Sequence, residues 1–328
     1  MLKALYERRG PIPQDVIAPV EFDAPTLAAG EVLIEVLAAP INPSDVLTLT
    51  GDYGMLPPLP AVGGNEGVGR IAAAGPDAGA LPIGQTVLLP VGIGTWASHV
   101  VAKIATLVPL PNEADPLQLA MLTINPPTAS LMLSEFVDLS EGDWVIQNAA
   151  NWGVGGYLVQ LAKSRGLKTV NVVRRESAVA ALKEIGADVV VVDGDDLAKQ
   201  VAAATGGAKI RLGIDAVAGK ATGRLSECLA PGGVLVNYGA MSGEPCVIGP
   251  RALVFCDVTL RGFWLAKWFR ASTPAQQMTV YGDLTQRIAS GELRARVDAT
   301  FDVSQIRQAV AAAAAGEREG KILVVPKH

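Results

Sequence analysis

The run Val145-Ile146-Gln147-Asn148-Ala149-Ala150-Asn151-Trp152-Gly153-Val154-Gly155-Gly156 joins a short apolar strand to a tight turn of small residues and a helix start. Backbone N–H groups left free at such a turn, reinforced by the helix N-terminus, bind the pyrophosphate of a dinucleotide. Asn151, Trp152, Gly153, Val154 and Gly155 are therefore candidate cofactor-binding residues. If the first and second glycines of the fingerprint are aligned, Ala150 and Trp152 stand in their places. An indole there either crowds the phosphates or swings out to cover them. A glycine turn that only packs a helix on a strand would read the same way in isolation.

Nineteen residues after Gly155, the second strand ends in Arg174-Arg175. An acid at this place accepts ribose hydroxyls in NAD sites, whereas arginine suits a 2′-phosphate, so the pair predicts NADPH. The bland explanation is a solvated basic corner. Tyr238-Gly239-Ala240-Met241 ends the fifth strand, where the C-terminal edge of a doubly wound sheet faces its ligand, and these four join the cofactor candidates.

These residues need a scaffold. From Trp144 onward, β-branched runs alternate with helical runs, which predicts βαβ units and a mostly parallel sheet. The strands are Trp144–Asn148, Thr169–Val173, Val189–Val192, Arg211–Ala216, Val234–Tyr238 and Val258–Gly262. Val154, Leu158, Leu161 and Ala162 form the apolar face of the first helix. Up to about Asp115 the chain reads instead as short strands and turns, such as Glu31–Ala38 with Val32, Ile34 and Val36 alternating. Pro40, Pro43, Pro57, Pro58 and Pro60 predict that Ala39–Gly64 is largely loop. After Trp268 come an amphipathic stretch (Pro274–Ser290), Arg296–Phe301, a helix through Ala309–Ala315 and a last strand Lys321–Val325, a tail expected to return to the first domain.

The 328 residues correspond to about two domains at roughly 150 residues each. Half are apolar and 18% charged, which excludes disorder for most of the chain. The net charge of −5 supplies no basic field for nucleic acid or anionic membranes. Cys228, Cys246 and Cys256 match no zinc or redox spacing and predict a reducing compartment. Residues 1–10 have no apolar h-region behind them, and the uncharged run Ala78–Ala102 is broken by Pro82, Gly84, Pro90, Gly92 and Gly94, so neither a secretory signal nor a membrane span is expected. The expected location is the cytoplasm; a processed mitochondrial form would look the same.

Ile41-Asn42-Pro43-Ser44-Asp45, Ala61-Val62-Gly63-Gly64-Asn65-Glu66-Gly67-Val68-Gly69 and the Ala150–Gly155 turn resemble the medium-chain dehydrogenase/reductase superfamily over nearly the whole chain. More narrowly, Gly51-Asp52-Tyr53-Gly54-Met55-Leu56-Pro57, Gly94-Thr95-Trp96, Asn125-Pro126-Pro127-Thr128-Ala129, Gln147-Asn148-Ala149, Asn171-Val172-Val173-Arg174 and Arg261-Gly262-Phe263-Trp264-Leu265 resemble its 2-enoyl thioester reductase branch. Quinone oxidoreductases share the coarser motifs.

The resemblance implies an α/β protein with a discontinuous GroES-like β-rich catalytic domain (1–120 and 265–328) around a doubly wound Rossmann cofactor domain (121–264). It implies that the tyrosine matching Tyr53 is catalytic: hydride delivered to an enoyl thioester leaves an enolate, which a neutral phenol can hydrogen-bond and protonate. An aromatic plugging its own loop is the other reading of Tyr53. The resemblance further assigns Asn125, at an interdomain turn, Phe263-Trp264-Leu265 and Lys321 to the cofactor, and Asn42, Trp96 and Trp264 to the substrate pocket. Trp264 and Trp268 could instead form one buried aromatic pair, and Lys321 could be merely solvated. Zinc-using relatives have Gly-His-Glu where this chain reads Gly64-Asn65-Glu66; with only His99 and His328 and no cysteine cluster, no metal is expected.

The leading expectation is thus NADPH-dependent reduction of a trans-2-enoyl thioester of CoA or acyl carrier protein by a homodimer joined along Val258–Gly262. A quinone or enone oxidoreductase, and a cofactor-binding protein without turnover, are the alternatives.

Overall fold

Prolines and β-branched residues cut the first third of the chain into short elements. The computed structural model describes residues 1–79, 81–316 and 319–328. In chain order it begins β1 (Leu2–Tyr6), α1 (Pro13–Val16), β2 (Ile17–Glu21), β3 (Glu31–Pro40), α2 (Pro43–Thr50), β4 (Ala61–Val62), β5 (Val68–Ala74), β6 (Thr86–Leu88), β7 (His99–Lys103), β8 (Val108–Pro109) and α3 (Pro116–Leu119). There follow α4 (Asn125–Met132), β9 (Trp144–Gln147), α5 (Gly153–Ser164), β10 (Lys168–Val173), α6 (Val179–Glu184), β11 (Val189–Val192), α7 (Leu197–Thr205), β12 (Ile210–Asp215), α8 (Lys220–Ser226), β13 (Val234–Asn237) and β14 (Thr259–Gly262). The chain ends with α9 (Leu265–Ala271), α10 (Pro274–Ala289), β15 (Val297–Phe301), α11 (Ile306–Ala314) and β16 (Lys321–Val324).

Two units emerge: Met1–Ile124 with Tyr281–His328, and Asn125–Val280. The sequence put the borders at 120/121 and 264/265; in the structure α9 and the first part of α10 group with the second unit.

In the first unit β2-β1-β4 form a three-stranded sheet, and β15-β16-β3-β5-β6-β8, with β7 beside β3, form a seven-stranded one. The alternation in β3 turns Val32, Ile34 and Val36 inward, each fully buried, onto Val310, Ile322 and Val324 of the C-terminal tail. The tail thus completes the core of the N-terminal part. One expectation is corrected here. The stretch 39–64 is not loop throughout, because Pro43–Thr50 within it is helical. A proline at the first helical position loses no intrahelical bond. Asn42 caps this helix, and Asp45 Oδ2 accepts the Asn42 N–H at 2.7 Å.

The second unit is a six-stranded parallel sheet in the order β11-β10-β9-β12-β13-β14. The predicted α5 face, Val154, Leu158, Leu161 and Ala162, is buried. β14 lies at the edge with all four residues exposed. Among the described residues no helix is long and apolar enough to cross a membrane. The run 78–102 forms β6, β7 and turns, with Ala80 outside the described residues.

Candidate active site

In the second unit β9 ends one residue before Asn148, and the chain turns through Ala149, whose φ of 48° is left-handed. That conformation costs a non-glycine residue about 1 kcal/mol and is held only where the surroundings demand it. Trp152 is the N-cap of α5 and supplies no side-chain cap, so the first-turn N–H groups of Gly153, Val154 and Gly155 remain as donors for an anion. Gly155 is required for packing: a Cβ there would lie 2.5 Å from the Ala150 carbonyl oxygen and 2.7 Å from its Cα. A Cβ on Gly153 would meet Asn125 Nδ2 at 3.1 Å, so Asn125 stands at the same turn. Rather than lying in a turn, Asn125 opens helix α4, with two prolines tolerated behind it.

Arg174 and Arg175 follow β10 and are exposed; among the described residues neither forms an ion pair. A solvated cation pair at that strand end and a free helix N-terminus at the neighbouring strand together fit a phosphorylated dinucleotide. Tyr238, Gly239, Ala240 and Met241 follow β13, the strand next to β12. Phe263 packs edge-on against Phe136 at 6.0 Å. Trp264 is 38% exposed with Arg270 over its ring at 5.0 Å, so the buried Trp264–Trp268 pair is not formed; Trp268 packs on Phe269 instead.

Beneath this edge lies a hub that the sequence reading missed. Asp215, fully buried, accepts from Asn148 Nδ2 (2.6 Å), Thr222 Oγ1 (2.7 Å), Asn237 Nδ2 (3.1 Å) and the N–H groups of Val217 and Ala218 (2.9 and 3.1 Å). Asn148 Oδ1 in turn accepts the Ala216 N–H at 2.8 Å. One carboxyl group thereby fixes the C-terminal ends of β9, β12 and β13. The available signal was an acid closing an otherwise apolar strand.

The first unit holds a second polar centre. Lys321, 6% exposed, donates to Asn42 Oδ1; Asn42 Nδ2 donates to Glu66 Oε1 at 2.6 Å; Glu66 Oε2 accepts the Ile124 N–H at 2.9 Å. Beside them Asn65 Nδ2 donates to Asp45 Oδ1 at 2.6 Å. Burial pushes the Asp45 carboxyl up to about 6, against the lowering pull of its bonds from Asn42 and Asn65 and of the Lys321 charge. Burial likewise raises Glu66, opposed first by Lys321.

Two pocket assignments change as a result, and the solvated alternative for Lys321 falls with them. Asn42 was expected in the substrate pocket, but it is 2% exposed with both ends of its amide engaged inside the unit. Lys321 is neither solvated nor turned outward, since its ammonium is held by Asn42. Trp96, expected to wall the pocket, is fully buried and donates from Nε1 to the Pro40 carbonyl at 3.2 Å. Its indole fills the space over Gly63 and Gly64, where a Cβ would lie 2.3 and 2.6 Å from ring carbons.

Tyr53, partly exposed, lies in the loop after α2, beyond Gly51, the helix's left-handed C-cap at φ 96°. His99 and His328, remote in sequence, face each other with ring centroids 5.3 Å apart, and Glu35 lies 3.3 Å from His328. They line a cavity of about 280 Å³ with Glu21 and Asp302.

The chain matches two family models: "Alcohol dehydrogenase GroES-like domain" over residues 28–112 and "Zinc-binding dehydrogenase" over 153–280. A zinc ion does not fit the residues at Gly64-Asn65-Glu66. Asn65 offers an amide already donated to Asp45, no thiol or imidazole joins the cluster, and the Lys321 ammonium already faces its carboxyl groups. Among the described residues no three His, Cys, Asp or Glu side chains gather as metal ligands.

The chain is 37% identical over 306 residues to the mitochondrial enoyl-[acyl-carrier-protein] reductase of Rattus norvegicus, covering 92% of this chain and 82% of that protein. The Etr1p/NADP/crotonyl-CoA complex matches with a TM-score of 0.87 at 26% identity, covering 99% of both chains. The mitochondrial 2-enoyl thioester reductase Etr1p/Etr2p heterodimer of Candida tropicalis matches with a TM-score of 0.86 at 26% identity and the same coverage. A strand–turn–helix ready for a dinucleotide, a tyrosine-bearing loop and likeness along nearly the whole length give one conclusion: the chain belongs to the medium-chain dehydrogenase/reductase superfamily, in its enoyl thioester reductase family.

Proposed function

We propose that this protein is an NADPH-dependent oxidoreductase that reduces the carbon–carbon double bond of a trans-2-enoyl thioester, carried on CoA or acyl carrier protein. The observation that carries the reading is the 37% identity to an enoyl-[acyl-carrier-protein] reductase over 92% of the chain.

Bound NADPH supplies the hydride that reaches the β-carbon. The chain's own residues do the rest. The N–H groups of Asn151–Gly155 hold the pyrophosphate, and Arg174 and Arg175 meet the 2′-phosphate with charge-assisted hydrogen bonds. Asn125, Tyr238–Met241 and Phe263–Leu265 are the remaining cofactor contacts in this reading, with Trp264 also facing the acyl group. Trp152, partly exposed at the N-cap of α5, borders the same turn. The Tyr53 hydroxyl hydrogen-bonds the thioester oxygen as charge develops there; its one proton then passes to the α-carbon of the enolate, and the phenolate is reprotonated from solvent.

The working form we propose is a homodimer joined along β14. Support comes from its exposed edge and from Leu253, Val254 and Phe255 nearby, 46, 70 and 81% exposed. An unpaired edge beside exposed apolar side chains is a template for a second copy. Three unpaired cysteines fit a reducing compartment, which we take to be the cytoplasm.

The test is NADPH oxidation at fixed enzyme with crotonyl-CoA, with a quinone, or with neither. Turnover with crotonyl-CoA well above that with quinone is expected. Turnover with the quinone alone would transfer the protein to quinone reduction, and none with either would leave a binding protein.

A further inference from the structure

The loop that carries Tyr53 has little to hold it from below. Every residue from Gly54 to Pro60 is exposed, including Met55 at 57% and Leu56 at 39%. Apolar burial therefore cannot fix its course. Its N-terminal end is set by α2, where the N–H groups of Gly51 and Asp52 both donate to the Leu47 carbonyl at 2.9 Å. Its far end returns to β1 through β4.

Between these ends one side chain reaches up from the body of the unit. Arg9 follows β1, and Nη2 of its guanidinium donates to the carbonyl of Pro57. The same guanidinium lies beside the hydroxyl of Tyr6, a core residue only 2% exposed. Its alkyl stem lies under the turn: a Cβ on Gly51 would sit 3.5 Å from Arg9 Cδ. The neighbouring Gly10 N–H donates to the Leu49 carbonyl at 3.1 Å, tying the same segment to α2. Arg9 thus touches the loop on both sides of Tyr53, at Gly51 and at Pro57, with its guanidinium beside the core residue Tyr6. A planar guanidinium donates in a fixed direction from a rigid group; a single ammonium on a flexible stem holds its acceptor less rigidly.

We propose that Arg9 is a positioning residue for Tyr53, a strut that fixes the height and direction of the loop so that the phenol hydroxyl is presented in one place. The proposal rests on the reading of Tyr53 as proton donor. Misplacing a catalytic group by about 1 Å can cost about 10²-fold in rate, so loss of the strut should show in kcat rather than in cofactor affinity.

The experiment is a double-mutant cycle in the full chain with crotonyl-CoA and NADPH: wild type, Arg9→Met, Tyr53→Phe and the double variant. Methionine keeps an alkyl stem against Gly51 and removes the bond to the Pro57 carbonyl. The expected result is a fall in kcat of roughly 10- to 100-fold in Arg9→Met, with the NADPH dissociation constant unchanged within about twofold, and less than about twofold further loss when Arg9→Met is added to Tyr53→Phe. If the methionine variant does not fold, Arg9→Lys serves in the same cycle and should show the same lack of additivity with a smaller loss. Unchanged kcat in the Arg9 variants, or an equal loss with and without the Tyr53 hydroxyl, overturns the proposal and leaves the Tyr53 reading standing. Full turnover in Tyr53→Phe alone overturns both.

Discussion

Each unit builds its polar centre differently. In the first unit, Lys321, Asn42, Glu66, Asn65 and Asp45 form a closed network in which one ammonium faces two buried carboxyl groups. In the second, the Asp215 hub is saturated by neutral donors, while the charged groups Arg174 and Arg175 stay exposed. Closure suits a framework that has to hold α2 and the loop beyond it. Separating a carboxyl group saturated by neutral donors from solvated cations suits an edge that must receive an anionic ligand, because the cations stay available until it arrives. A buried carboxyl group needs compensation, which the first centre supplies with an ammonium and the second with five hydrogen-bond donors.

The comparison can be broken from several sides. The largest effect is expected at Tyr53, which the closed centre supports: Tyr53→Phe should lower turnover with an enoyl thioester by about 10²–10⁴ while NADPH still binds. Steady-state kinetics and a cofactor titration check this.

Next comes the hub. Asp215→Ala removes the acceptor of Asn148, Thr222 and Asn237 and should destabilise the second unit by more than about 3 kcal/mol, with NADPH affinity falling as well. Denaturant titration reads the first, and fluorescence of bound NADPH the second. A variant with wild-type stability would mean that the strand ends are fixed by other contacts.

Smaller again is the effect on cofactor choice. Each charge-assisted bond is worth about 1.5–3 kcal/mol, so Arg174→Ala with Arg175→Ala should cut the preference for NADPH over NADH at least about tenfold. Equal wild-type affinities, or an unchanged ratio of dissociation constants, would return the two arginines to a solvated corner.

The last effect is the pH dependence of stability from the closed centre. Asp45 and Glu66 are both raised above their unfolded values, so in the window between them the folded state binds more protons than the unfolded chain. Their contribution is therefore full below pH ~4 and is lost as pH rises through about 6 and beyond. Lys321→Met removes the charge that lowers both groups, so the falling part of the curve should extend to higher pH. A curve that rises through this window, or one that Lys321→Met leaves in place, would contradict the closed centre.

Much of the fold was legible because its signals are local. The six parallel strands were predicted within a residue or two, since β-branched runs between helical runs declare themselves at short range. The turn Ala150–Gly155 was visible for the same reason. Helix α2 was misread because Pro43 looks like a breaker until its place at the first helical position is known. Arg9 and Asp215 carried no sequence signal strong enough to single them out.

By itself the sequence determined the alternation that buries Val32, Ile34 and Val36, the order of strands and helices, the dinucleotide turn and the arginine pair after it. Periodicity, glycine spacing and charge are properties of neighbours in the chain. Only the tertiary structure decided that Lys321 meets Asn42 from 279 positions away, that His99 faces His328, and that Trp96 is core rather than pocket wall. The reason is physical: sheet order sets which distant residues meet, and the dielectric around a side chain, which sets the ionisation of Asp45 and Glu66, exists only once the chain is packed.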